Sequence, residues 1–256
     1  GYCSKYIIPM LPKNYEIICT HNLKIKSTSD DYKYNIKRIC FNDFLKKKEI
    51  LLKGASFILN SIPPTEKGDV VINNLKDDIL KNKENIKWFG YFSSTSVYGN
   101  YNGDWVDENS KLLPKTSRGI LRKTSETKHL NLFRLFDIPI HVFRLPGIYG
   151  PNRSVFDKIK NGELTEIIKK DHFFSRIYVE DISSAICKSI KKPTPGEIFN
   201  LSDDMPCESF EVVRYAANLK KVSKIKSLSF DDPKLNKKVR SFYFDNKRVR
   251  NFKIKK

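Results

Sequence analysis

The chain has 256 residues, a formal net charge of +19, 39% apolar and 12% aromatic side chains. That is enough for one large α/β domain, or a core domain with a small lobe, around a real core. No apolar run approaches the roughly 20 residues of a membrane helix, which excludes a transmembrane chain and predicts no membrane partner.

Cys3, Cys19, Cys40, Cys187 and Cys207 form no C-x-x-C pair and have no histidine at ligand spacing. Free thiols in a reducing cytoplasm and no metal site are therefore expected. No charged-then-apolar leader opens the sequence. The basic excess recurs in most segments, as at Lys46 to Lys48, Lys169 and Lys170, and Lys220 and Lys221. It is rarely interleaved with aromatics, so it reads as background composition, with no nucleic-acid partner.

In chain order, "GYCSKYIIPML" offers Gly1, Tyr2, Cys3 and Ser4, then a helix with Tyr6, Ile7 and Met10 as its apolar positions. A dinucleotide-binding turn runs from a strand through glycines into a helix whose N-terminus meets a pyrophosphate. No strand precedes Gly1, which reads either as the start of the chain or as the second glycine of a G-x-G-x-x-[GS] turn cut at its beginning. "YEIICT" (Tyr15 to Thr20) reads as a strand and leads into "CTHNLKIK", which carries His21, Lys24 and Lys26 but no carboxylate. An acid there suits the ribose of NAD and a base suits a 2′-phosphate, so the stretch leans toward NADP.

"ASFILNS" (Ala55 to Ser61) reads as a buried strand, and the prolines of "SIPPTEKGD" form a rigid loop from Ser61. "NNLKDDILKNK" (Asn73 to Lys83) and "RKTSETKHLNLFRLF" (Arg122 to Phe136) have helical periodicity, while "WFGYFSS" (Trp88 to Ser94) and "PIHVFRL" (Pro139 to Leu145) read as buried strands. Alternating strands and helices predict a doubly wound parallel sheet with its ligand site at the carboxyl ends of the strands. Asp181 reads as a helix N-cap.

"YFSSTSVYGNYNGDWVDE" (Tyr91 to Glu108) resembles the strand and active-site loop of the extended short-chain dehydrogenase/reductases, the NAD-dependent epimerases and dehydratases. Three further stretches match in the same order. "FRLPGIYGPNRS" (Phe143 to Ser154) is similar to the family's R-x-x-x-x-Y-G-P segment, "SRIYVEDISSAI" (Ser175 to Ile186) to its R-x-h-V-x-D-h-A segment, and "GEIFNLSDDMP" (Gly196 to Pro206) to its G-x-x-y-N-h-x-D strand.

The resemblance implies a Rossmann-like domain over residues 1–150, joined by a strand at 198–201, and a mainly substrate-binding lobe over 151–256. It implies NAD or NADP, a small polar substrate of sugar type, and redox or isomerase chemistry. A homodimer is an assembly it leaves open. Ser94 falls where the family has the hydroxyl that orients the substrate oxygen. In "RGILRKTSE" (Arg118 to Glu126), alignment on Glu126 and Gly119 puts Arg118 in place of the family's tyrosine acid/base and Arg122 in place of its lysine.

An arginine stays protonated, so Arg118 cannot cycle a proton, whereas Arg122 can still hold a ribose or phosphate. The pattern looks like an atypical branch lacking the Tyr/Lys pair. Tyr98 is a candidate replacement hydroxyl, or a residue packed at the strand end. Asp104, Asp107 and Glu108 are candidate acids on the following loop, with Asp104 and Arg176 as candidate substrate contacts. The backbone at Pro146, Gly147 and Ile148 would lie beside the nicotinamide. A non-catalytic dinucleotide sensor, or a partner-binding module, is the alternative reading, and an exposed salt-bridge ladder is the alternative for Arg118, Arg122 and Glu126.

Overall fold

The computed structural model describes residues 1–22 and 29–256, so Lys24 and Lys26 lie outside the described residues. The chain forms two compact units. The first comprises Gly1–Phe92, Thr124–Val142 and Val179–Glu197, and the second comprises Ser93–Lys123, Phe143–Tyr178 and Ile198–Lys256.

In the first unit the strand Ile17–His21 pairs in parallel with Ile36–Cys40, Ile17 opposite Ile36. The chain also carries a four-stranded sheet, not confined to the first unit, in the order Ile198–Asn200, Ile140–Leu145, Trp88–Ser94, Phe57–Asn60. Its last pair is parallel, with Phe57 opposite Trp88. All of Ile140–Leu145, and Trp88–Ser94 up to its last residue, is buried, which explains why these strands are apolar runs and not alternating patterns. The α/β, Rossmann-like architecture expected from the sequence is the one observed.

The helix Val70–Lys81 begins one turn earlier than its periodicity suggests. Asp69 fixes the start, accepting from the Val71 and Ile72 amides at 3.0 Å each, and Val71, Ile72, Leu75 and Ile79 turn inward. Asp69 also belongs to a buried polar network. It accepts from the Ser125 hydroxyl at 2.5 Å, the Asn60 amide reaches it at 3.4 Å and His129 Nε2 at 3.1 Å, and His129 Nδ1 meets the Ser125 carbonyl at 2.9 Å. These pairings make His129 a donor at Nδ1 and an acceptor at Nε2.

Two sequence expectations are corrected. Met10 does not face a core but is 48% exposed beyond the short helix Ser4–Ile7, whose inward residue is Ile7. Asp181 is no cap: it is the third residue of the helix Val179–Lys191, exposed in the first turn, where its charge suits the helix dipole.

In the second unit Trp105–Val106 pairs in parallel with Arg248–Val249, Gly147–Tyr149 with Arg176–Tyr178, and Thr165–Ile168 with Lys226–Ser229. Phe173–Phe174 runs antiparallel to Cys207–Glu208. Val97, Tyr98, Val106 and Val249 make one core cluster, and Leu164, Val213 and Ala217 another. Among the described residues no helix is long and apolar enough to cross a membrane.

Candidate functional site

The second unit holds the strand end that the family motif marks. Ser94 leaves the strand Trp88–Ser94 with extended backbone and caps the short helical turn Thr95–Tyr98, its Oγ accepting from the Ser96 amide at 3.2 Å. That bond uses an acceptor lone pair, and the hydroxyl hydrogen remains for a ligand oxygen. Ser96, which motif reading passes over, contributes a second hydroxyl, buried with no partner among the described residues. The turn ends at Gly99, whose φ of 76° and approach to the Leu113 carbonyl leave no room for a side chain.

The helix Ser117–Phe136 begins five residues before its apolar stripe, because Thr116 Oγ1 accepts from the Gly119 amide at 3.2 Å. Gly119 is where this helix meets the Ser94 turn. A Cβ there would stand 2.7 Å from the Ser96 carbonyl oxygen and 2.8 Å from Pro114 Cβ. Arg118 is exposed and lies over the Phe242 ring at 4.9 Å, and Arg122 is half-buried. Glu126, two turns on from Arg118, is 2% exposed, so the series is not a uniformly solvated ladder.

Tyr98 stands in the packed, hydrogen-bonded setting that is the alternative to a replacement hydroxyl. It is fully buried, donates to Asn200 Oδ1 at 2.7 Å and accepts from Arg144 at 2.9 Å. Burial pushes its hydroxyl up to about 12, against the pull of Arg144 and Asn200. Two acids of the following loop are also hydrogen-bonded within the protein. Asp107 accepts from the Asn109 amide and the Ser110 hydroxyl, and Glu108 accepts from the Asn200 amide at 2.8 Å. Asp104 remains exposed, its carbonyl accepting from the Arg248 amide.

Arg176 is half-buried and donates to the Phe174 carbonyl at 3.1 Å and toward Cys207. Pro146 precedes the strand Gly147–Tyr149, where Gly147 is exposed and Ile148 half-buried. In the first unit, Ser4 Oγ donates to the Gly1 carbonyl at 2.6 Å, closing the turn through Tyr2 and Cys3. His21 ends its strand with Nδ1 buried and unpartnered among the described residues, and Ser61 is exposed just past Phe57–Asn60. An orphaned imidazole nitrogen at a strand's carboxyl end fits a dinucleotide ribose or phosphate.

No family model matches the chain. A solved protein of Silicibacter pomeroyi DSS, described as functionally unknown and conserved, is 35% identical, with a TM-score of 0.87 over 100% of this chain and 88% of that one. The dTDP-glucose 4,6-dehydratase of Bacillus anthracis str. Ames, solved in complex with NAD, is 17% identical with a TM-score of 0.72, covering 99% of this chain and 84% of that one; this likeness is one of fold. The dTDP-D-glucose 4,6-dehydratase of Dictyostelium discoideum is 24% identical over 81% of this chain, which spans 56% of that curated relative.

The chain shares the fold of NAD-dependent epimerases and dehydratases: its solved neighbours include the dTDP-glucose 4,6-dehydratase above and the UDP-N-acetylglucosamine 4-epimerase of Bacillus cereus, which is 17% identical with a TM-score of 0.75, covering 100% of this chain and 88% of that one. At the level of sequence its likeness is to the Silicibacter protein, which is described as functionally unknown.

Proposed function

We propose that the chain is an NAD(P)-binding protein of the epimerase/dehydratase type, acting by redox or isomerase chemistry on a small polar substrate of sugar type. The observation that carries this is the close approach of Gly119 to the Ser96 carbonyl, which ties the start of the helix Ser117–Phe136 to the turn that opens at Ser94. It supports the register that puts Arg118 and Arg122 in the places of the family's tyrosine and lysine. When bound, the nicotinamide supplies a hydride acceptor or donor.

In this reading Ser94 donates to a substrate oxygen and Arg118 pairs with an anionic group. Arg122, the turn from Gly1 to Ser4, His21 and Ser61 hold the cofactor, and His21 favours the 2′-phosphate of NADP. A second reading, a non-catalytic dinucleotide sensor, is favoured by one fact: Arg118 cannot cycle a proton.

Calorimetric titration with NADPH and NADH tests the first requirement. Binding should weaken in Arg122→Ala by about 1.5–3 kcal/mol, the worth of a charge-assisted hydrogen bond, or roughly ten- to a hundredfold in Kd. Absence of binding to either nucleotide would overturn both readings. If binding holds, loss of hydride exchange in Ser94→Ala marks an enzyme, and indifference marks a sensor.

A further inference from the structure

From Lys247 to Phe252 the chain alternates in burial. Lys247, Val249 and Asn251 turn inward, 8%, 1% and 6% exposed, whereas Arg248 and Arg250 are half-buried and Phe252 is 61% exposed. This is the two-residue period of a strand, so the outward face carries two guanidinium groups and a ring. Parallel pairing sets Trp105 opposite Arg248, with Val106 and Val249 in the core cluster beneath.

The outward side chains form one row. Arg248 lies over the Phe173 ring at 4.4 Å and over Trp105 at 5.6 Å, and Arg250 lies over Trp105 at 5.1 Å and over Phe252 at 5.4 Å. Ring and cation therefore alternate through Phe173, Arg248, Trp105, Arg250 and Phe252, all within the second unit. Trp105 keeps 40% of its surface exposed. The cations are not neutralised within the chain. Arg248 Nε donates to the Gly103 carbonyl at 2.6 Å. Among the described residues no hydrogen bond or ion pair engages the Arg250 guanidinium, and no carboxylate pairs with either arginine. Residues 237–256 hold nine Lys or Arg against one acid, Asp245. Contact with a ring face leaves the N–H donors of a guanidinium for an oxyanion.

We propose that this row binds single-stranded nucleic acid, Trp105 and Phe252 taking unpaired bases while Arg248 and Arg250 take the phosphates. The basic excess of the chain is rarely interleaved with aromatics, and this row is the place where it is, which reverses at one surface the expectation drawn from composition. Every base has a face that can stack on a ring, and each neutralised phosphate releases counterions, so binding should tolerate sequence and weaken with salt. An acidic protein segment would match the charge but leave the rings without stacking partners, and a duplex keeps its bases inside.

The full chain is titrated with a uridylate oligomer of about 12 nucleotides, followed by the anisotropy of a labelled copy and by protein emission with an unlabelled one. The protein has two tryptophans and Trp88 is 1% exposed, so quenching reports on Trp105. Emission should fall on binding. Arg250→Gln should weaken binding about tenfold at low salt and lower the slope of log K against log salt by about 0.7, one phosphate contact. Trp105→Leu should weaken it about fivefold or more, the loss of one stacked base. Lys47→Gln removes the same charge from an exposed position of the first unit and should leave the affinity within about twofold. Absent binding at low salt, binding without quenching, or equal losses in Arg250→Gln and Lys47→Gln would overturn the proposal. Equal affinity for polyglutamate would overturn it in favour of an acidic protein partner, and displacement by NADP in favour of the cofactor turn. If Trp105→Leu does not fold, quenching of the parent and the comparison of Arg250→Gln with Lys47→Gln decide the matter.

Discussion

Single residues separate the groups that build this protein from those that can act. Tyr98 and Ser94 stand four positions apart in one motif, yet Tyr98 has both sides of its hydroxyl engaged by Asn200 and Arg144, while Ser94 keeps its hydrogen. Lys247 is the group that spends stability. Its folded value of about 8 lies below its ordinary 10.5, so the fold disfavours the charged form. The cost is present in full below about 8 and disappears as pH rises toward 10.5. A difference of about 2.5 units corresponds to about 3 kcal/mol. Lys247→Met, similar in length and uncharged, should therefore raise the unfolding free energy at pH 7 by about 2–3 kcal/mol, and the gain should vanish near pH 10.5. Urea denaturation at the two pH values checks this. A variant less stable than the parent at neutral pH would make Lys247 a structural residue.

Among the elements, the helix Ser117–Phe136 matters most for the site, and its placement depends on one missing side chain. Gly119→Ala places a methyl 2.7 Å from the Ser96 carbonyl oxygen, where backbone, not a flexible side chain, must yield. Overpacking of this kind costs about 1–3 kcal/mol, which outweighs the roughly 1 kcal/mol that alanine gains over glycine in a helix. Gly54 is the control. It follows the helix Lys48–Lys53, and a Cβ there would meet nothing within 4 Å, so Gly54→Ala should be neutral or mildly stabilising. Thermal melts should fall for Gly119→Ala and stay level or rise for Gly54→Ala, and equal shifts would rule out the tight contact as the cause. The strands Trp88–Ser94 and Ile140–Leu145 were legible because burial on both faces writes a continuous apolar run. The starts of two helices were not, because Asp69 and Thr116 define them by side-chain bonds to backbone amides just ahead, which apolar periodicity does not register. The Asn60, Asp69, Ser125, His129 network was not legible either, since its partners lie up to 69 positions apart in sequence. Motif spacing raises Ser94 and the arginine pair as candidates, but it does not single out Lys247, more than a hundred positions on.

Over the molecule as a whole, pH acts on both units through two histidines buried in the neutral form. In the first unit His141 is fully buried, accepts from the Thr194 amide at 2.8 Å and stacks on Trp88 at 5.6 Å. Burial pushes it down to about 4, against the opposing influence of the Pro139 and Phe89 backbone. In the second unit His172 packs among Phe174 and Tyr243, and burial, with the charges of Lys169 and Lys247, brings it to about 4 as well. Both folded values lie below the ordinary 6.5, so the neutral ring is the form the fold favours. Their contribution is complete above 6.5 and is lost as pH falls toward 4. Each shift, about 2.5 units, corresponds to about 3 kcal/mol, a large part of the 5–15 kcal/mol of an ordinary domain. A net charge of +19 adds repulsion once carboxylates also begin to protonate. Calorimetric melts between pH 6.5 and 4 should therefore fall steeply. His141→Phe, which keeps the stacking on Trp88 and cannot charge, should flatten the part of that slope that belongs to the first unit and leave the rest. A slope unchanged by that substitution would place the acid sensitivity in other groups, since a phenyl ring at position 141 cannot take up a proton.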